Sequence, residues 1–188
     1  MMVKDVMRLF GILAGMILCG GNILAADDAH HAVQDRNGGY YLLHHLLGQE
    51  ADVDKIMLAK NAPPEIGALT KSISALADDD IDKLDALQAR DKTLRFDENP
   101  LPAFEQDVRD SIADDKQHQL LFGTTGPAFT RALIVSQIEA SMYAKHLAKV
   151  LADREKNARA QKVLEKISDQ WARMTDKANA LLGSSAAR

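Results

Sequence analysis

The chain has 188 residues, 46% of them hydrophobic, and a formal net charge of −4. That length suits one domain with a real core and is too short for two comfortable ones. Mixed, mildly acidic charge leaves no basic stripe for nucleic acid, and the single cysteine, Cys19, lies so early that disulfides, thiolate metal sites and a cysteine nucleophile are excluded from all that follows it.

Lys4 and Arg8 open the chain, and residues 9–18 form an unbroken apolar and glycine run. Gly20-Gly21-Asn22 breaks that run, and Leu24-Ala25-Ala26 leads into Asp27-Asp28. A basic start, about ten apolar residues and a small-residue exit is the build of a secretory signal peptide. A membrane-spanning helix needs about twenty apolar residues, so no stable transmembrane segment is expected. Residues 1–26 are read as a signal peptide cleaved near Ala25 or Ala26, leaving a periplasmic or secreted product of about 163 residues with a charge of about −5. The alternative is a lipoprotein anchored through Cys19, but Leu18 stands where such signals place a small residue.

Abundant Ala and Leu, few aromatics and little Val-Ile-Thr alternation favour helices over strands. Residues 27–38 read as a disordered leader, 39–183 as the helical domain and 184–188 as a tail. The 3.6-residue period predicts a first helix over 39–60, stopped by Pro63-Pro64, where Pro64 also suits the first turn of the next. A second helix is predicted over 64–90, with Ile66, Leu69, Ile73, Leu76, Ala77, Leu84 and Leu87 on one face. Asn99-Pro100-Leu101-Pro102 reads as a rigid extended joint, and 103–118, with Phe104, Val108 and Ile112, as a shorter crossing helix. Gly123-Thr124-Thr125-Gly126-Pro127 is a stop-and-restart signal before a third long helix to about 153. The fourth is predicted over 155–182, with Ala160, Leu164, Ile167, Trp171 and Ala178 on its stripe, released by Gly183-Ser184-Ser185. Two helical hairpins joined by a long crossover containing a short helix make an all-α, ferritin-like four-helix bundle.

Several local stretches carry a family likeness: Gln49-Glu50, the turn Ala59-Lys60-Asn61-Ala62-Pro63-Pro64-Glu65-Ile66, and Leu76-Ala77-Asp78-Asp79-Asp80. They are followed by Gly126-Pro127-Ala128-Phe129-Thr130-Arg131-Ala132-Leu133 and Gln137-Ile138-Glu139-Ala140. In this order the chain resembles the domain of unknown function 4142 family, exported bacterial proteins grouped with ferritin-like bundles. The resemblance implies a helical-bundle fold and an envelope location, and it brings no established activity. Members of that family often carry histidine near the positions that Asp80 and Ser141 hold here, and this sequence departs from that at both.

The candidate chemistry lies in acids on apolar faces. At 100° per residue, Glu50 and Asp54 fall on the stripe of Leu43, Leu47 and Met57, and Asp80 falls between Ile73 and Leu84. Inward carboxylates must meet a cation, a metal, a proton or water, because an unpaired buried charge is very costly. A metal reading takes Glu50, Asp54 and Asp80 with Glu139 and His146, which flank the third long helix seven residues apart. Carboxylates with one histidine suit Fe, Mn or Zn. A full di-metal set wants Glu-x-x-His pairs, and this sequence has none. The competing reading pairs the acids with Lys or Arg, leaves the bundle wet near one end, or has a register shift of a residue or two turn them outward.

Other motifs are weaker. There is no Gly-x-Ser-x-Gly elbow, and Ser136 has no histidine beside it in sequence. Gly123-Thr124-Thr125-Gly126 lacks the lysine and strand context of a phosphate loop and reads as a helix start. Asp78-Asp79-Asp80 with Asp82 reads as a solvated face without the turn glycine of a calcium loop. The expected role is therefore non-enzymatic: contact with an envelope protein or surface, with stress tolerance as its setting. The alternative is a metal-binding bundle with a carboxylate-rich site.

Overall fold

A computed structural model gives the fold and describes residues 25–58, 60, 63–96 and 99–186. Residues 1–24, which carry most of the segment read as a signal peptide and also Cys19, lie outside the described residues, as do residues 187–188 of the tail. The described chain is all-helical: α1 (Ala25–Glu50), a 3-10 segment (Val53–Leu58), α2 (Pro64–Arg90), α3 (Ala103–His118), a π-helical turn (Gln119–Gly123), α4 (Gly126–Arg154) and α5 (Ala158–Ala186). Among the described residues there is no strand, and no helix is long and apolar enough to cross a membrane.

Helix ends follow local chemistry. Pro64 opens α2 at a position whose N–H would have no helical partner. Beyond its last turn, Asp91 Oδ1 accepts the backbone N–H of Thr93 at 3.0 Å and turns the chain. Gly126 has φ +56°, a left-handed conformation that suits glycine, and Pro127 follows in the first turn of α4. Asn157 caps α5: its Oδ1 accepts the N–H groups of Arg159 at 2.9 Å and Ala160 at 3.2 Å.

Four boundaries correct the sequence reading. The first helix ends at Glu50, and a 3-10 segment carries the chain on to Leu58, where the period predicted unbroken helix to 60. At its other end the helix begins at Ala25, so residues 27–38 are helical where a leader was expected. The fourth long helix starts after Asn157 and runs to Ala186, through Gly183 and past the expected start of the tail.

Contacts between helices fix their directions. Ser74 Oγ donates to Ala51 O, His44 Nε2 lies 3.1 Å from Asp85 Oδ1, and Arg36 Nη2 bonds Asp91 Oδ2 at 3.0 Å. Rising numbers on α1 meet falling numbers on α2, so the two are antiparallel. The same holds for α2 and α5, where Lys177 Nζ donates to Ser72 Oγ at 3.2 Å and Trp171 Nε1 to Asp80 Oδ2 at 3.0 Å. Helix α1 also runs against α4: a Cβ on Gly39 would come within 2.5 Å of Leu151 Cδ2, so a larger residue here would push the Leu151 side chain aside.

The tightest pairing is α4 with α5. Buried Ala140, Ala144, Ala148 and Ala152 keep the inner side of α4 slim, while Trp171, Leu164 and Ile167 fill the middle from α5. Leu43, Leu47, Leu69, Ile73, Leu84, Phe129 and Leu133 complete one contiguous core.

Helix α3 departs from expectation in orientation. Its bounds match the predicted crossing helix, yet Phe104 is 72% and Val108 50% exposed. The side turned inward carries Arg109, Ile112 and Lys116 instead, with Leu120 of the π-helical turn buried. A sequence period finds an apolar face; it does not say that the face is covered.

Candidate functional site

Glu50 ends α1 and is 4% exposed, surrounded by core. Gln137 and Ser141, one turn apart on α4, are fully buried, and the Gln137 amide is the polar group beside the Glu50 carboxyl. It does not close a well-formed bond: Glu50 Oε2, both polar atoms of Gln137 and Ser141 Oγ lack a hydrogen-bond partner. Burial pushes the Glu50 carboxyl up to about 8, against a smaller downward pull from Gln137. At neutral pH it is a neutral acid that holds a proton and can donate it.

Asp80 has been provided for. It is fully buried on α2, where Trp171 Nε1 of α5 donates to one oxygen at 3.0 Å and Lys83 Nζ to the other at 2.7 Å. Lys83 also bonds Asp79 at 2.6 Å and Gln170 Oε1 at 3.3 Å. Burial raises the Asp80 carboxyl above its ordinary value, and the Lys83 and Trp171 bonds oppose that. The result is a two-helix staple between α2 and α5.

The remaining three candidates do not join them. Asp54 is half-buried in the 3-10 segment, and His146 is exposed on α4. Glu139 turns to α3, where Lys116 Nζ bonds its Oε2 at 2.7 Å. Among the described residues no three His, Cys, Asp or Glu side chains gather as a group able to hold a metal ion. The inward placement of Glu50 and Asp80 agrees with the sequence reading, and the convergence of all five does not occur. There are also two surface clefts, one of which shares Lys83 with the Asp80 staple. One of about 610 Å³ is lined by Lys83, Arg159, Lys162 and Lys166; the other, of about 510 Å³, lies where the starts of α2 and α4 meet the end of α5.

A second polar centre has no counterpart in the sequence reading. Arg36 Nε bonds Glu155 Oε2 at 3.0 Å while its Nη2 bonds Asp91, and Tyr40 Oη donates to the same Glu155 oxygen at 2.8 Å. This clamp ties α1 to the end of α2 and to the α4–α5 turn. Arg36 and Tyr40 stand one turn apart, a spacing visible in the sequence, but Arg36 falls in the stretch 27–38 that reads as a leader. Gln137 stands in, and Ser141 directly after, a stretch that carries the family resemblance, but a lone Gln or Ser on an apolar face does not point to Glu50.

The sequence matches no family model, no curated protein and no solved structure.

Proposed function

We propose that this is an exported cell-envelope protein, a ferritin-like four-helix bundle of the kind the domain of unknown function 4142 resemblance implies, which works by contact and not by catalysis. The antiparallel partners of α1 and α5 support the bundle plan: α1 lies against α2 and α4, α5 against α2 and α4, and α3 carries the crossover. One observation carries the contact reading: Asp80 is spent on Trp171 and Lys83 and Glu139 on Lys116, while the buried Glu50 keeps its proton. A carboxylate committed to an indole N–H and an ammonium is a structural group.

The export half is tested by expressing the full chain in a Gram-negative host, separating periplasm from cytoplasm and weighing the product by mass spectrometry. The expected result is a periplasmic protein shortened by about 25 residues. A full-length cytoplasmic protein contradicts it.

A further inference from the structure

Helix α3 and the π-helical turn form one continuous rod, and its two sides differ in charge. The rod has two cations besides His118, Arg109 and Lys116, and both are engaged at its inner side. Arg109 Nε bonds Glu105 at 2.9 Å and its guanidinium faces Tyr143 of α4, while Lys116 bonds Glu139 of α4 at 2.7 Å. The outer side has Phe104, Val108, Ser111, Asp115, His118 and Phe122 in one exposed helical stripe. Exposed Asp107, Asp110 and Asp114 line one edge of it. Asp107, Asp114 and Asp115 have no ion-pair partner among the described residues. Phe104 and Phe122 are 72% and 70% exposed.

Large aromatic side chains left in water beside a row of carboxylates form a surface with a defined complement. We infer that the outer face of this rod docks a cationic amphipathic segment of a partner protein, a helix or extended strip that sets Lys or Arg beside apolar side chains. This rests on the contact reading above and names its partner class. Apolar side chains of the partner cover Phe104 and Val108, and its cations meet the Asp107, Asp114 and Asp115 carboxylates. Charge argues against the other occupants: a second copy sets two acidic rows against each other, and an anionic membrane repels the face.

The test is a fluorescence-anisotropy titration of the protein with a short synthetic Leu/Lys amphipathic peptide at two salt concentrations. Saturable binding is expected, weakened by about tenfold or more in Phe104→Ala/Val108→Ala, the equivalent of about 1.4 kcal/mol. Asp107→Asn/Asp114→Asn/Asp115→Asn is expected to weaken binding similarly and flatten its salt dependence. Asp78→Asn/Asp82→Asn, on the exposed acidic face of α2, serves as control and leaves binding unchanged. All these side chains are exposed, so the variants keep their circular dichroism spectrum and melting temperature. Binding that survives Phe104→Ala/Val108→Ala, or falls as much in the α2 control, overturns the inference. Self-association lost in Phe104→Ala/Val108→Ala, or binding to phosphatidylglycerol vesicles in place of the peptide, overturns it too while leaving the contact reading standing.

Discussion

A carboxylate with no exposure survives in an apolar core when donors replace its water, and Asp80 has two, from Trp171 and Lys83. Trp171→Phe keeps most of the ring volume and removes one donor. It should cost about 2 kcal/mol in urea unfolding, the range for a hydrogen bond to a charged group; a loss below about 0.5 kcal/mol would mean the bond is idle. Glu50 follows the opposite logic, keeping its proton. Between its ordinary value of 4.5 and about 8 the unfolded chain is ionised at this position and the folded chain is not. The folded state therefore binds more protons in that window, and stability falls as pH rises through it, by up to about 1.4 kcal/mol per pH unit, levelling above the window. Glu50→Gln removes this term, so unfolding curves at pH 5 to 9 should show a shallower pH slope than the parent. Identical slopes would contradict a proton held at Glu50.

At the scale of elements, much was legible. The bounds of α3, the start of α2 at Pro64 and the inward position of Glu50 and Asp80 followed from proline placement and period. What failed did so for stated reasons. Asp54 was carried inward by continuing 100° per residue past Glu50, but the chain changes to 3-10 geometry there and the register ends with it. Glu139 and Lys116 meet only because α3 crosses α4, a placement no local pattern encodes. The α4–α5 contact depends on small residues, so Ala144→Leu or Ala148→Leu should overpack it and cost about 1–3 kcal/mol, read as a lowered melting temperature. Unchanged melting would mean that the two helices have room to spare.

At the scale of the molecule, one end is locked by the clamp of Arg36, Tyr40, Asp91 and Glu155, which gathers α1, α2 and the α4–α5 turn. Arg36 keeps 24% of its side chain exposed, and Glu155 only 3%. Arg36→Ala should therefore cost about 2 kcal/mol, less than a fully buried pair, and speed hydrogen exchange in α1 and at the α4–α5 turn together. Thr93 and then Arg36 hold the Asp91 carboxyl below its ordinary value. Burial pushes Glu155 up, but the Asn157 N–H, Arg36 and Tyr40 together bring it below. Both contributions are present above the ordinary carboxylate range and are lost as pH falls through the lowered values.

The central claim is that Asp80 is held by donors of the protein and Glu50 by its own proton, so that neither acid holds a metal. Elemental analysis of the exported protein, purified without a histidine tag or chelators, tests it most directly when run beside Glu50→Ala/Asp80→Ala. The account predicts no Fe, Mn or Zn above background in either. Near-stoichiometric metal in the parent, lost from the double variant with its helical content intact, would contradict it and place a metal site between α1 and α2.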